Sequence, residues 1–363
     1  MTGAGISALA VSFPATVRTS DYYRTHHPEA VAEAEEKSLA RLFSAKGDAP
    51  PDDPFDIEMA PYLSDPFRGT VARRVLAPGE GSLDIELAAA RDVLRAAGLA
   101  AGDLDAIMVA SFVPDTMAAG NAAWLARALG VSVPAWNLES ACSSAIVGLQ
   151  NAVALIRSGE YERVLLAVSC TYSRLLDPND SLSWFMGDGA GAMVISRTPP
   201  GDGVLGTKVI STQETCGAFD VAPTADVTGH AKLRMRAANA AAGRVMRDSA
   251  ADQLRTCVSG ALDRAGAKLG DVSFFVFNTP VAWFARACAR TLGINPERTI
   301  SMYPSYGNMG AALTTTNLFH AAHEGKLRRG DLVMVYAVGS TSTAAATLMR
   351  WGDVALGAAP PMI

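Results

Sequence analysis

Arg95-Ala-Ala-Gly98-Leu-Ala-Ala-Gly102-Asp-Leu-Asp-Ala-Ile-Met-Val-Ala110 spells a helix end, a glycine stop, a turn and a buried strand. The same order returns at Arg264-Ala-Gly266-Ala-Lys-Leu-Gly270-Asp-Val-Ser-Phe-Phe-Val-Phe-Asn278. Two more pairs extend the match. Leu125-Ala-Arg-Ala-Leu-Gly130 answers to Arg290-Thr-Leu-Gly293, and the stretch from Ile156 through Gly159 to Val168 answers to that from His323 through Gly325 to Val335. The chain is therefore a duplicated β/α unit, with one half over residues 1–200 and the other over 201–363. Val164-Leu-Leu-Ala-Val168 and Leu332-Val-Met-Val-Tyr336 are apolar on both faces, as strands between helix layers are. The helices read over Ser143–Ser158 and Gly310–Glu324 carry small and apolar residues all round, which places them between two sheets.

Setting Gly159 on Gly325 lays Cys142, in Asn137-Leu-Glu-Ser-Ala-Cys142-Ser-Ser-Ala145, opposite Asn308, in Tyr306-Gly-Asn308-Met-Gly310. Two related helix N-termini should then converge on one site. A cysteine where a strand hands over to a helix meets unpaired N–H groups and the positive end of the helix dipole, which predicts a thiolate nucleophile. By itself a lone cysteine in apolar surroundings reads as a small core residue.

The composition is 49% hydrophobic and 18% charged over 363 residues, with a formal net charge of −5. That balance supports a large core, and no basic block suggests nucleic-acid binding. The five cysteines, Cys142, Cys170, Cys216, Cys257 and Cys288, show no CxxC pairing, so neither a disulfide framework nor a zinc site is expected. With no signal-like N-terminus and no apolar run of spanning length, the expectation is a cytoplasmic protein off the membrane.

Ser140-Ala-Cys142-Ser-Ser, Gly187-Asp-Gly189-Ala-Gly191-Ala-Met, Tyr306-Gly-Asn308-Met-Gly-Ala-Ala and Val338-Gly339-Ser340, in that order, resemble the thiolase-fold condensing enzymes. The chain is most similar to β-ketoacyl-acyl-carrier-protein synthase III and its relatives in specialised metabolism. The resemblance covers nearly the whole chain and implies an α/β thiolase fold, five-layered α-β-α-β-α. It implies a homodimer in which Cys142 attacks an acyl thioester, the oxyanion is held by the N–H groups of Cys142 and Ser340 beside Gly339, and the acyl group waits for a second substrate. The run from Gly187 lacks the Lys-Ser/Thr of a phosphate loop and leads into a strand, so it reads as tight packing.

The family pairs its cysteine with a histidine and an asparagine. Asn308 matches the asparagine; Asn278, at the end of Phe274–Phe277, stands where the histidine should. An amide does not shuttle protons at neutral pH. Decarboxylative condensation survives that loss, because carbon dioxide release makes the carbanion, with the amides of Asn278 and Asn308 holding the enolate oxygen. Transfer to a hydroxyl is harder. Among the histidines, His26 and His27 lie in a polar stretch, His320 and His323 read as solvent-facing near a helix end, and His230 is the one candidate substitute base. The family's coenzyme A clamp is also missing: Asp177-Pro-Asn-Asp180 is followed by Ser181 where relatives have arginine, and the early loop has no tryptophan.

An acyl carrier protein is therefore the expected donor. It would present a phosphopantetheine thioester as the substrate arm, with no bound cofactor or metal, and dock on Arg244, Arg247, Arg286 and Arg290. Met117, across the dimer interface, with Phe185 and Met235, are candidate acyl-pocket residues. Residues 44–66 form a Pro/Asp-rich insertion read as a surface loop rather than an entrance cover. Asp65-Pro-Phe-Arg-Gly resembles acyltransferases of antibiotic tailoring. The leading expectation is an acyl-thioester enzyme of polyketide or antibiotic biosynthesis acting on a small-molecule acceptor. The alternatives are O- or N-acyl transfer to a natural product, and a non-catalytic partner subunit of a condensing complex.

Overall fold

The computed structural model describes residues 3–44, 53–225, 231–339 and 342–361. The first half runs β1 (Gly3–Ser12), β2 (Thr16–Thr19), α1 (Ser20–His26), α2 (Pro28–Ser44), α3 (Pro54–Met59), β3 (Ala72–Val75), α4 (Ser82–Ala97), β4 (Ala106–Phe112), α5 (Ala122–Leu129), β5 (Ala135–Asn137), α6 (Ser144–Ser158), β6 (Arg163–Thr171) and β7 (Asp188–Thr198). The second half begins with β8 (Gly203–Ser211), the hairpin β9 (Phe219–Ala225) and β10 (Ala231–Ala237), α7 (Ala240–Asp248), α8 (Ala250–Ala265) and β11 (Phe274–Phe277). It continues through α9 (Phe284–Leu292), β12 (Thr299–Ile300), α10 (Tyr303–Tyr306), α11 (Ala311–His323), β13 (Leu332–Val338), β14 (Thr343–Arg350) and β15 (Ala355–Leu356).

Strand order β5-β4-β6-β7-β1 is repeated as β12-β11-β13-β14-β8. The sense repeats as well: in both arrays the first two ladders are parallel and the next two antiparallel. The arrays join where Ala4 of β1 pairs with Gly203 of β8. Gly203 has φ +77, and a Cβ there would stand 2.3 Å from the Ala4 carbonyl oxygen, so only glycine permits the join. The paired glycine stops of the sequence, Gly98 with Gly266, Gly130 with Gly293 and Gly159 with Gly325, all sit at positive φ.

Helices α4 and α5 cover one face of the first array, packing Ile85, Val93 and Leu125 on Ile107, Val109 and Leu165. On the far side of the molecule, Leu254, Val258 and Cys288 of α8 and α9 pack on Phe275, Phe277 and Met334. Between the arrays lie α6 and α11, where Ile146, Leu149, Leu313 and Leu318 share one core with Met193 and Ile195 of the first array and Val333 and Val335 of the second. The result is five layers. This explains why α11 is buried from Ala311 to Ala321 and why its sequence carries no polar stripe.

Burial of α11 also corrects one expectation. His320 is buried, with the Tyr306 hydroxyl 3.3 Å from Nε2, and burial pulls its imidazole below the usual range; only His323 faces solvent. Two carboxyls are buried too. Glu86 of α4 accepts from Ser169 Oγ at 2.5 Å and Asn121 Nδ2 at 2.9 Å, yet burial pushes it up to about 7. Asp188, which accepts from the backbone N–H groups of Leu76 and Ser173, is pushed up to about 6 by burial.

Within the insertion, residues 45–52 lie outside the described residues, and the remainder carries α3, a 3₁₀ turn over Ala60–Tyr62 and further turns. Asp53 caps α3 by accepting from Phe55 N at 2.8 Å. Phe55 meets Phe284 of α9 edge-on at 5.6 Å. Among the described residues no helix is long and apolar enough to cross a membrane.

Candidate active site

Ala141–Ser143 make a single 3₁₀ turn between β5 and α6. Ala141 holds φ +49, a strained conformation for a residue with a side chain. Three contacts fix it. The Glu139 carboxylate accepts from Ala141 N at 2.6 Å, and Ser144 Oγ accepts from Ser140 N at 2.8 Å while donating to Ala141 O at 2.7 Å. Ser140, Ser143 and Thr343 link their hydroxyls at 2.5–2.9 Å, tying the turn to β14 of the other half. The serines flanking the cysteine are therefore the scaffold of the turn.

Cys142 is a free, half-buried thiol opening on a cavity of about 110 Å³. Its walls are Phe112 from β4, Cys170 and Tyr172 from the end of β6, Phe219, Asp220 and Val221 from β9, Met235 from β10, and Gly310 and Ala311 at the start of α11. Both helix N-termini thus reach one cavity. The expectation of a resting thiolate is corrected. Burial pushes the Cys142 thiol up to about 11; the Tyr172 hydroxyl pulls it down, and the Glu139 carboxylate adds to the rise. At neutral pH the sulfur is a thiol.

Asn278 and Asn308 hold the two backbone groups of one residue, Gly310. Asn308 Oδ1 accepts from Gly310 N at 2.9 Å, and Asn278 Nδ2 donates to Gly310 O at 2.7 Å and to Thr314 Oγ1 at 3.1 Å. Asn278 is buried, its nitrogen is committed, and its Oδ1 has no hydrogen-bond partner. Asn278 and Asn308 both stand behind the cavity wall, each bonded to Gly310, which lines the cavity beside Cys142. Asn308 is fixed from behind, donating its N–H to Phe185 O at 2.8 Å and accepting from Gly187 N at 2.9 Å. A Cβ on Gly187 would fall 2.1 Å from Tyr306 O, which is the close packing read for the glycine run.

Gly339 presses on the cysteine turn: a Cβ there would stand 2.6 Å from Ser140 O and 3.1 Å from Ser143 Oγ. Ser340 and His230 lie outside the described residues. Met235 lines the cavity, and Met117 is 79% exposed on the surface. Phe185 does not line it; the ring is buried beneath the Arg68 guanidinium at 4.4 Å, and its carbonyl accepts from Asn308 N.

The four arginines separate into two kinds. Arg286 and Arg290 share the single carboxylate of Glu58 of α3, at 2.9 and 2.6 Å, so the cluster stays positive. Arg247 pairs with Asp248 at 3.0 Å, while Arg244 lies exposed on the same helix α7. Ser181 borders a separate cleft of about 270 Å³ with Lys37, Tyr62, Arg68 and Trp283, the two aromatic rings 5.4 Å apart.

Tyr172, Cys170 and Phe112 were missed by sequence reasoning. The available signal was topological: they sit at the C-terminal ends of the parallel strands β4 and β6, where open α/β sheets place their sites.

A duplicated α/β architecture with a cysteine on the turn leading into its inner helix defines a thiolase-like condensing fold. Residues 136–213 match the model for 3-oxoacyl-[acyl-carrier-protein] synthase III, and residues 262–351 match the model for its C-terminal part. β-Ketoacyl-[acyl-carrier-protein] synthase III 3 of Streptomyces coelicolor is 33% identical over 299 residues, 79% of this chain and 88% of its own length. The synthase III of Rhodospirillum centenum is 31% identical over 293 residues, 78% of this chain and 88% of its own length. The crystal structure of synthase III from Thermus thermophilus aligns with a TM-score of 0.79 at 26% identity, covering 96% of this chain and 99% of that one. The chain belongs to the β-ketoacyl-[acyl-carrier-protein] synthase III family.

Proposed function

We propose that the chain accepts an acyl group from an acyl-carrier-protein thioester onto Cys142 and passes it to a second substrate, in polyketide or antibiotic biosynthesis. The observation that carries this reading is the Cys142 thiol, held on a strained turn and opening on a cavity walled by both halves. Gly339 against that turn supports an oxyanion site formed by the N–H groups of Cys142 and Ser340. Asn308, with its oxygen turned to Gly310 N, keeps its amide nitrogen for a substrate oxygen; Asn278 supports it by holding the carbonyl of the same glycine.

Carbon–carbon bond formation is the preferred second step. Among the described residues lining the cavity, none is a base poised near neutrality: Asp220 is a carboxylate held low by Arg236, and Cys170 and Tyr172 are held high by burial. A decarboxylating malonyl-type acceptor needs no such base. Acyl transfer to an oxygen or nitrogen of a natural product is the second reading, favoured where the acceptor is an already neutral amine.

The donor arm is phosphopantetheine, which is substrate rather than cofactor. Arg244 and Arg247 on α7, with Arg286 and Arg290 on α9, are the proposed carrier contacts. The exposed Met117 and the 42% exposed Trp124 support a homodimer, which light scattering at twice the 37.9 kDa chain mass would establish and a monomer would refute.

Incubation with acyl-carrier thioesters is expected to add one acyl mass to the wild type and none to Cys142→Ala, read by intact-protein mass spectrometry. Discharge by malonyl carrier supports condensation, and discharge only by an alcohol or amine supports transfer. No adduct on the wild type would instead favour a non-catalytic partner subunit.

A further inference from the structure

One polar side chain touches the nucleophile and has no part in the mechanism above. Tyr172 leaves the end of β6 in a 3₁₀ turn, buried, its ring tilted against Phe112 at 5.2 Å and its carbonyl accepting from Leu175 N at 2.9 Å. The next residue is anchored, since Ser173 donates both N–H and hydroxyl to Asp188. This places the Tyr172 hydroxyl 4.0 Å from Cys142 Sγ. A Cβ on Gly310 would stand 3.4 Å from the same hydroxyl and 3.0 Å from Cys170 Sγ, so phenol and second thiol lie side by side over the start of α11. The titratable groups facing Cys142 are Glu139 on its own turn, Cys170 and Tyr172 from β6, and Asp220 from β9. Glu139 is spent on Ala141 N and Ser144 Oγ, and Asp220 on Arg236 at 2.8 and 3.2 Å.

We propose that Tyr172 is a catalytic residue: its O–H donates to Cys142 Sγ as the sulfur loses its proton and attacks the thioester. The inference rests on the acyl-loading reading. In that step the Sγ–acyl bond forms, the bond from the acyl carbon to the carrier sulfur breaks, and the cysteine proton ends on the departing pantetheine thiol. Tyr172 keeps its own hydrogen throughout. A separation of 4.0 Å is the long end for an O–H to sulfur contact and shortens when the sulfur becomes charged, as resting catalytic contacts commonly do. The phenol suits the role because burial and the two neighbouring thiols hold it well above its ordinary range, so it stays a donor at any pH where the enzyme works. With no imidazole described in the cavity, it is the group on which ionisation of Cys142 depends.

The test is the rate of iodoacetamide alkylation, read by mass on the Cys142 peptide of the intact enzyme at fixed pH values from 7 to 10, on the limb below the wild-type midpoint. Tyr172→Phe is expected to slow alkylation about threefold along that limb, a tenfold loss of thiolate being partly offset by a more nucleophilic sulfur. An unchanged alkylation rate in a variant with wild-type melting temperature overturns the proposal. Should Tyr172→Phe fail to fold, Tyr172→His serves: an imidazole at the same contact is expected to lower the midpoint, and no movement overturns the assignment. Alkylation needs no carrier thioester. Failure of acyl loading would therefore sink the proposed function while leaving the role of Tyr172 to be judged on its own profile.

Discussion

Gly310→Ala is expected to load acyl groups onto Cys142 about 100-fold more slowly than the wild type, the scale of loss that an ångström of misplacement produces. Gly310 adopts φ +51, ψ −131, a conformation that a side chain strains by about 1–3 kcal/mol. Its new methyl would press on Cys170 Sγ and the Tyr172 hydroxyl inside the cavity. Relief by backbone movement is closed off, since the N–H and the C=O of Gly310 are held by Asn308 and Asn278. Strain and obstruction therefore act together, and the melting temperature should fall by a few degrees. Time-resolved intact-mass measurement reads the first effect and a thermal melt the second. Loading at the wild-type rate would show that Gly310 does not shape the reacting site.

Asn278→His is expected to speed discharge of the acyl enzyme by hydroxyl acceptors about 100-fold, the lower range of what a positioned general base contributes. One ring N–H can replace the donation to Gly310 O, and the second nitrogen then occupies the side where Oδ1 now has no partner. The gain should appear as pH rises through about 6.5, where a free imidazole becomes neutral. Following loss of the acyl adduct between pH 5 and 9 checks both the size and the profile. Equal discharge in both proteins would mean that proton transfer does not limit the acceptor step.

The duplicated fold was legible because its evidence is local and repeated: a glycine stop needs a left-handed residue wherever it occurs, and a strand buried on both faces is apolar along its whole length. Cys142 was legible for the same reason, as a residue at a strand-to-helix junction. Its ionisation was not. The helix end is a local feature, whereas the burial that holds the thiol up comes from β4, β6, β9 and β10, which converge only in three dimensions. Tyr172 was hidden likewise, since one tyrosine after a strand carries no mark of what it faces. Asn278 was identified as a departure, but the direction of its amide follows from Gly310 and Thr314 on a later helix. Arg286 and Arg290 looked unpaired because Glu58, which they share, lies more than two hundred positions away in sequence, 228 and 232 residues off.

Glu86 and Asp188 put a limit on the conditions under which this chain can work. Both carboxyls are raised by burial, so the stability they lend is complete below the ordinary carboxylate range and is withdrawn as pH climbs through about 6 and about 7. Reactivity runs the opposite way, because each pH unit below about 11 multiplies the ionised fraction of Cys142 about tenfold. From mildly acidic to mildly alkaline solution, endurance and turnover are traded against one another. Above that interval both carboxyls are already charged, and only the sulfur has more to gain.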